Sequence, residues 1–382
     1  MRKISLITLV LVLIVVLGTM SFNVNRGTPN VNDLRLIYSS GNINKWPTPN
    51  LDDAIKATYK EIGLLDSMAY PIDNQYNIAK KELGKILFYD PRLSKSNQVA
   101  CASCHDPQLG WGDGKRVAFG HNRQVGNRNS MTLFNVGYYN NFFWDGRSYS
   151  LEHQAMFPAS DGLEMAGNLQ NLTTKLKKYK AYEPLFKKAF NNGEISNENI
   201  FKAIATFERS IVSPKSRFDN FITGKADALT DDEVNGLHLY RTKARCVNCH
   251  NGGLFSDNKF HNDGQTLFAS DNEDLGKYKR TNNKSDVGLF KTPSLRETAN
   301  TGPWMHHGNF PSLKDVVQFY NLGNPSPIQK KYKGNRDSIL PKTSPLLRKL
   351  NLTEQEILQV VAFLQTITTT PQRVKPITVF PK

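Results

Sequence analysis

Two pentapeptides, CASCH at residues 101–105 and CVNCH at residues 246–250, hold all four cysteines of this 382-residue chain. Each places two thiols either side of a two-residue gap, with a histidine directly behind. Two disulfides would not require the histidines, and a chain of this size needs no covalent staple. A zinc site built from two cysteine pairs usually keeps them much closer in sequence. A redox Cys-x-x-Cys sits at a strand–helix junction, and no such pattern surrounds either pair. The remaining reading is covalent c-type haem attachment. Both thiols add to the vinyl groups of one porphyrin, and the next residue offers its imidazole to iron. Cys101, Cys104 and His105 then hold one haem; Cys246, Cys249 and His250 hold the other.

The stretches that must position these motifs read as helices. IAKKELGKILFYD (78–90) carries an apolar stripe through Ile78, Leu83, Ile86 and Leu87 and stops at Pro91. ENIFKAIATFERSIV (198–212) repeats the pattern and ends before Ser213-Pro214. ALTDDEVNGLHLYRT (228–242) leads into the second motif much as 78–90 leads into the first. Thr353 and Glu356 have capping-box spacing ahead of ILQVVAFLQTI. No stretch shows sustained strand alternation. The internal repeat is thus a helix followed by Cys-x-x-Cys-His, used twice, with a boundary near 214–225. Residues 22–50 are rich in Asn, Pro and Gly and read as a linker or extended arm. Residues 256–300 are polar and loop-like, a wrapping or interface segment.

Arg2 and Lys3 precede the apolar run ISLITLVLVLIVVL and the small-residue exit GTMS. This pattern predicts a signal peptide over 1–21 and hence export. The run is short for a membrane span, which needs about 20 residues, although an uncleaved N-terminal anchor is the alternative. The formal net charge is +15. The basic residues are spread along the chain without a nucleic-acid-binding signature, so nucleic acid is not an expected partner. A homodimer is compatible with the sequence.

Further motifs carry a resemblance. LGKILFYDPRLS, CASCHDP, GHNRQVGNRNS, FWDGRSYSLEHQA, the dipeptide Glu164-Met165, CVNCHNGGLFSD, FHNDG, FKTPSLRETANTGPWMHHG and LKDVVQFYNLG stand in this order. Across roughly residues 50–370 the chain resembles the bacterial di-haem cytochrome c peroxidase family, which includes the MauG-type enzymes. The resemblance implies an all-α fold of two cytochrome c-like helical domains, over 51–214 and 215–382. Each would hold one covalent c-type haem, with calcium at the interface. It implies hydrogen peroxide reduction at the N-terminal haem in the periplasm. Electrons from a small donor protein such as a cytochrome c would enter at the C-terminal haem.

The same resemblance assigns roles. Glu164 is expected to move the proton during O–O cleavage, with Gln154 orienting it. His121 matches a distal histidine that leaves the first iron on activation. Trp144 matches the tryptophan between the haems, where an indole serves as packing and as electron relay. Asn129, with the backbone carbonyls of Thr301 and Pro303, matches the calcium ligands. At the second haem the peroxidases use methionine as distal ligand; this chain has Tyr320, as MauG-type members do, with Met305, His306 and His307 as nearby rivals. A phenolate stabilises ferric iron where a thioether favours ferrous. Three functions follow: a peroxidase, a MauG-like oxidase that draws electrons from a protein substrate, and a non-catalytic carrier or redox sensor. Glu164, Gln154 and Trp144 argue against the third.

Overall fold

The computed structural model describes residues 30–323, 336, 339–370 and 374–382. The segment expected to be a signal peptide, 1–21, lies outside the described residues. Helices dominate: α1 (Val31–Tyr38), α2 (Ile78–Tyr89), α3 (Leu151–Ser160), α4 (Leu169–Lys177), α5 (Tyr182–Ala189), α6 (Asn197–Arg209), α7 (Arg217–Ile222), α8 (Asp231–Arg241), α9 (Leu313–Asn321) and α10 (Glu354–Thr366). Among the described residues, the strands are β1 (Phe260–His261) and β2 (Phe290–Lys291), an antiparallel pair with Phe260 opposite Lys291.

Local chemistry accounts for the helix ends. Asn77 caps α2 by accepting from the Lys80 amide, and the helix closes at Asp90, before Pro91. Ser196 caps α6. Thr230 with Glu233 on α8, and Thr353 with Glu356 on α10, form reciprocal capping boxes. Each such cap satisfies otherwise orphaned amides and contributes about 1 kcal/mol.

Two helix crossings repeat one packing device. α2 lies against α6 at Gly84, where a Cβ would stand 1.9 Å from the Ala203 carbonyl oxygen and 3.0 Å from the Phe207 Cβ. α8 lies against α10 at Gly236, where a Cβ would stand 1.9 Å from the Gln359 carbonyl oxygen and 2.9 Å from the Phe363 Cβ. Only glycine permits backbones to meet this closely. The helix before each Cys-x-x-Cys-His motif is therefore anchored by a glycine in front of an aromatic ring.

One hydrophobic cluster draws on Leu87, Phe88, Trp111, Phe186, Ile204 and Phe207, among others between residues 83 and 254. The second draws on Phe218, Leu237, Tyr240, Phe255, Val360 and Phe363. Both ends of the described residues cross over. Val374, Ile377 and Phe380 pack on the first cluster, whereas Leu34, Tyr38, Trp46 and Ile62 belong to the second. The stretch expected to be an extended arm over 22–50 thus contains α1, whose Leu34 and Tyr38 are buried. Its turn-forming composition hid a short amphipathic helix capped by Asn30. The 256–300 segment is largely irregular and buries Phe268, Leu275 and Val287 in a cluster of their own.

Candidate active site

Both Cys-x-x-Cys-His motifs fold alike. Cys101–Ser103 and Cys246–Asn248 are single 3-10 turns, and the amides of His105 and His250 return to the carbonyls of Cys101 and Cys246 at 3.1 and 2.9 Å. The His105 Nδ1 lies 3.0 Å from the Trp111 carbonyl oxygen, and the His250 Nδ1 lies 3.1 Å from that of Phe255. Each accepting carbonyl fixes the tautomer with the proton on Nδ1, which leaves Nε2 as the electron-pair donor. Burial lowers the pKa of both imidazoles, keeping them neutral as metal ligands must be. The four cysteines form no disulfide. The second motif is braced further by the Tyr240 hydroxyl, which donates to the His250 carbonyl at 2.6 Å. Arg296 also helps: it pairs with Asp219 through two 2.9 Å contacts and donates to the Gly253 carbonyl.

Each motif opens into its own cavity. The first, about 1830 Å³ with its mouth, is lined by Cys101, Cys104, His105, Gln154, Glu164 and Glu208 among others. The second, about 1760 Å³, is lined by Cys246, Cys249, His250, Met305, His306 and Tyr320 among others. Unpaired thiols and an oriented imidazole at the wall of a large cavity fit a c-type haem, one in each.

In the first cavity, Gln154 sits on α3, which is tied to α6 by the Glu152–Arg209 ion pair at 2.5 Å. Glu164 follows in the next loop. Burial raises its pKa, and Asp161 adds to the effect. A desolvated carboxylate is the stronger base, as proton transfer at this wall requires. His121 is not among the residues lining either cavity. Its amide donates to the Glu164 carbonyl at 2.6 Å, and Asn122 and Arg123 turn the chain through positive φ. His121 is thus tied by its backbone to Glu164, which lines the first cavity, without lining that cavity itself.

Sequence reasoning missed Glu208. It is only 4% exposed, one of its carboxyl oxygens has no hydrogen-bond partner, and burial pushes its pKa up to about 8. FERS on an amphipathic helix offered no sign that this acid faces inward.

The two cavities share a wall that includes Asn129, Tyr139, Trp144 and Lys291. The Trp144 indole N–H donates to the Asn129 carbonyl at 2.9 Å, and the Trp144 carbonyl accepts from the Lys291 amide at 2.9 Å. Trp144 is thus fixed from both sides between the motifs. Tyr139 and Lys291 were not singled out from the sequence.

Tyr320, carried by α9, lines the second cavity. Burial, with Asp263 and Cys249 adding, raises its pKa well above 10, so the protein alone holds it as a neutral phenol. A phenolate there would need a cation such as ferric iron. Met305 and His306 also line this cavity; His307 does not. His306 is stacked on Phe290 with ring centroids 3.6 Å apart.

Thr301, Pro303 and Asn129 line the same second cavity. The Asn129 side-chain nitrogen donates to the Lys115 carbonyl at 2.8 Å, which identifies its other side-chain atom as oxygen available to a cation. Hard oxygen donors of this kind suit calcium. Among the described residues, no cluster of three or more His, Cys, Asp or Glu side chains is arranged to hold a metal. Calcium here would rely on carbonyl and amide oxygens and on water. No described helix is long and apolar enough to cross a membrane.

A family model for di-haem cytochrome c peroxidase matches residues 78–227. The cytochrome-c peroxidase IdrP1 of Pseudomonas sp. (strain SCT) is 36% identical over 332 residues, covering 79% of this chain and 84% of that protein. The methylamine utilization protein MauG of Methylophilus methylotrophus is 34% identical over 308 residues, covering 79% and 86%. Among solved structures, a MauG-like protein associated with microbial copper homeostasis superposes with a TM-score of 0.71 at 31% identity, covering 79% of this chain and 93% of that one.

Proposed function

The chain belongs to the di-haem cytochrome c peroxidase family, and we propose that it reduces hydrogen peroxide to water in the periplasm with electrons from a small redox protein such as a cytochrome c. Two cytochrome c-like units, centred on residues 51–214 and 215–382, carry one haem each. Electrons enter at the haem of Cys246, Cys249 and His250 and pass by way of Trp144 to that of Cys101, Cys104 and His105. Calcium is held by Asn129 and by the carbonyl oxygens of Thr301 and Pro303. The observation that carries this reading is the shared wall: two cavities with like motifs meet at Trp144, and one of them holds Glu164 and Gln154.

Bound haem supplies the electrons that break the peroxide O–O bond. The residues supply proton handling. Glu164 takes a proton from one peroxide oxygen and delivers it to the other, which leaves as water. Two electrons from the donor replace those the haem would give, and two further protons turn the remaining oxygen into the second water. Gln154 orients the carboxyl. Steady-state peroxide reduction with reduced cytochrome c, on protein shown to hold two haems, tests the reading; no turnover with any small donor sinks it.

Tyr320 favours a second reading. A phenolate ligand would lower the potential of the second haem and suit a MauG-like enzyme that takes electrons from a protein substrate. Tyr320→Met separates the two. A raised second-haem potential with faster cytochrome c turnover supports ligation by the tyrosine, and an unchanged second-haem spectrum refutes it.

A further inference from the structure

Among the described residues, six lysine and arginine side chains line the two cavities, and all but one already face carboxylates. Around the first cavity, Arg128 is held by Asp274 and Asp145 at 2.6 and 2.7 Å, Arg147 by Asp145 at 3.1 Å, and Lys279 lies 3.6 Å from Asp274. Around the second, Arg245 and Arg348 lie 3.6 and 2.6 Å from Asp52. Lys291 is the exception, and it lines both cavities.

Lys291 is 3% exposed. Its backbone is fixed in β2 opposite Phe260 and against the Trp144 carbonyl. Its Nζ sits 2.9 Å from the centroid of the Tyr139 ring, with Phe142 at 5.8 Å. Among the described residues no carboxylate forms an ion pair with it, and burial alone drives its pKa well below the usual lysine range. A buried amine without an anion is costly to charge. Its persistence at the wall between two cofactor cavities points to an anion that arrives with the cofactor. Haem brings two carboxylates on its propionate side chains.

We infer that Lys291 is the shared cationic partner of the propionates of both haems, and that its charge raises both iron potentials together. This rests on the di-haem reading above. A positive charge beside an iron centre favours the ferrous over the ferric form. One lysine on the common wall would therefore couple the two potentials, whereas each arginine lines only one cavity and faces an aspartate.

The test is a spectroelectrochemical titration of the holoprotein with Lys291→Met and Lys291→Arg. In Lys291→Met the ferric-to-ferrous ratio at a fixed applied potential should rise on the order of tenfold at both haems. Lys291→Arg, which keeps the charge, should stay near the parent. Lys291→Gln offers a second neutral replacement if methionine lowers haem content or stability. Two retained haems with unchanged potentials in the neutral variants overturn the inference, as does a shift confined to one haem or an equal shift in Lys291→Arg. A parent protein with fewer than two haems per chain defeats the di-haem reading instead.

Discussion

The Trp144 indole N–H donates to the backbone carbonyl of Asn129 at 2.9 Å. The ring on the wall between the cavities is therefore held by the residue proposed to bind calcium. Chelating calcium, or replacing Asn129 with Ala, should loosen the indole and slow electron passage between the haems by about tenfold, the usual scale for losing a supporting contact. Stopped-flow reduction of the first haem after rapid reduction of the second measures this. An unchanged rate with calcium shown to be absent would remove the link.

Replacing Glu164 with Gln should preserve both haem spectra and lower peroxide turnover by about 10²–10⁴-fold, the range for a lost general base. The sign of the pH effect follows from the burial that raises the pKa of Glu164. Its carboxylate form is lost on acidification, so activity should fall on an acidic limb lying above the usual glutamate range. The variant should lack that limb. Identical pH profiles would exclude Glu164 from the proton transfer.

Glu208 should make stability depend on pH. Its folded pKa of about 8 stands above the ordinary 4.5. Between these values the folded state keeps a proton that the unfolded state releases, so stability falls as pH rises through this window and levels above it. Glu208→Gln should flatten the profile, gaining on the parent by a few kcal/mol, at order of magnitude, between pH 5 and pH 8. Guanidinium unfolding at the two pH values reads the difference; parallel shifts of both proteins count against a buried neutral acid.

Gly84 and Gly236 should resist substitution. Alanine at either would press a Cβ to 1.9 Å from the backbone of the partner helix, a strain costing about 1–3 kcal/mol. Gly63, with nothing within 4 Å of its would-be Cβ, provides the control and should tolerate alanine. Thermal unfolding midpoints decide between them, and near-equal midpoints for all three variants would contradict the crossing geometry.

Features governed by neighbours in the chain were legible in the residues alone. The Cys-x-x-Cys-His motifs, the helix ending before Pro91 and the Thr353–Glu356 capping box each depend on a few consecutive positions, and the structure contains those helices. Family motifs also pointed to Gln154 and Glu164, which line the first cavity, to Tyr320, which lines the second, and to Trp144, which lines both. Other features waited for the tertiary structure. Nothing near Lys291 or Glu208 in the chain says that one faces both cavities and the other lies buried without a full set of partners. α1 was hidden by its turn-rich surroundings, and the backbone contact of His121 with Glu164 joins segments more than forty residues apart. Local patterns set which residues bear thiols, caps and apolar stripes because they act within a turn or two of chain. Burial and the pairing of charges are set by segments distant in sequence, so only the folded chain decides which acid loses water and which lysine is left to meet an incoming anion.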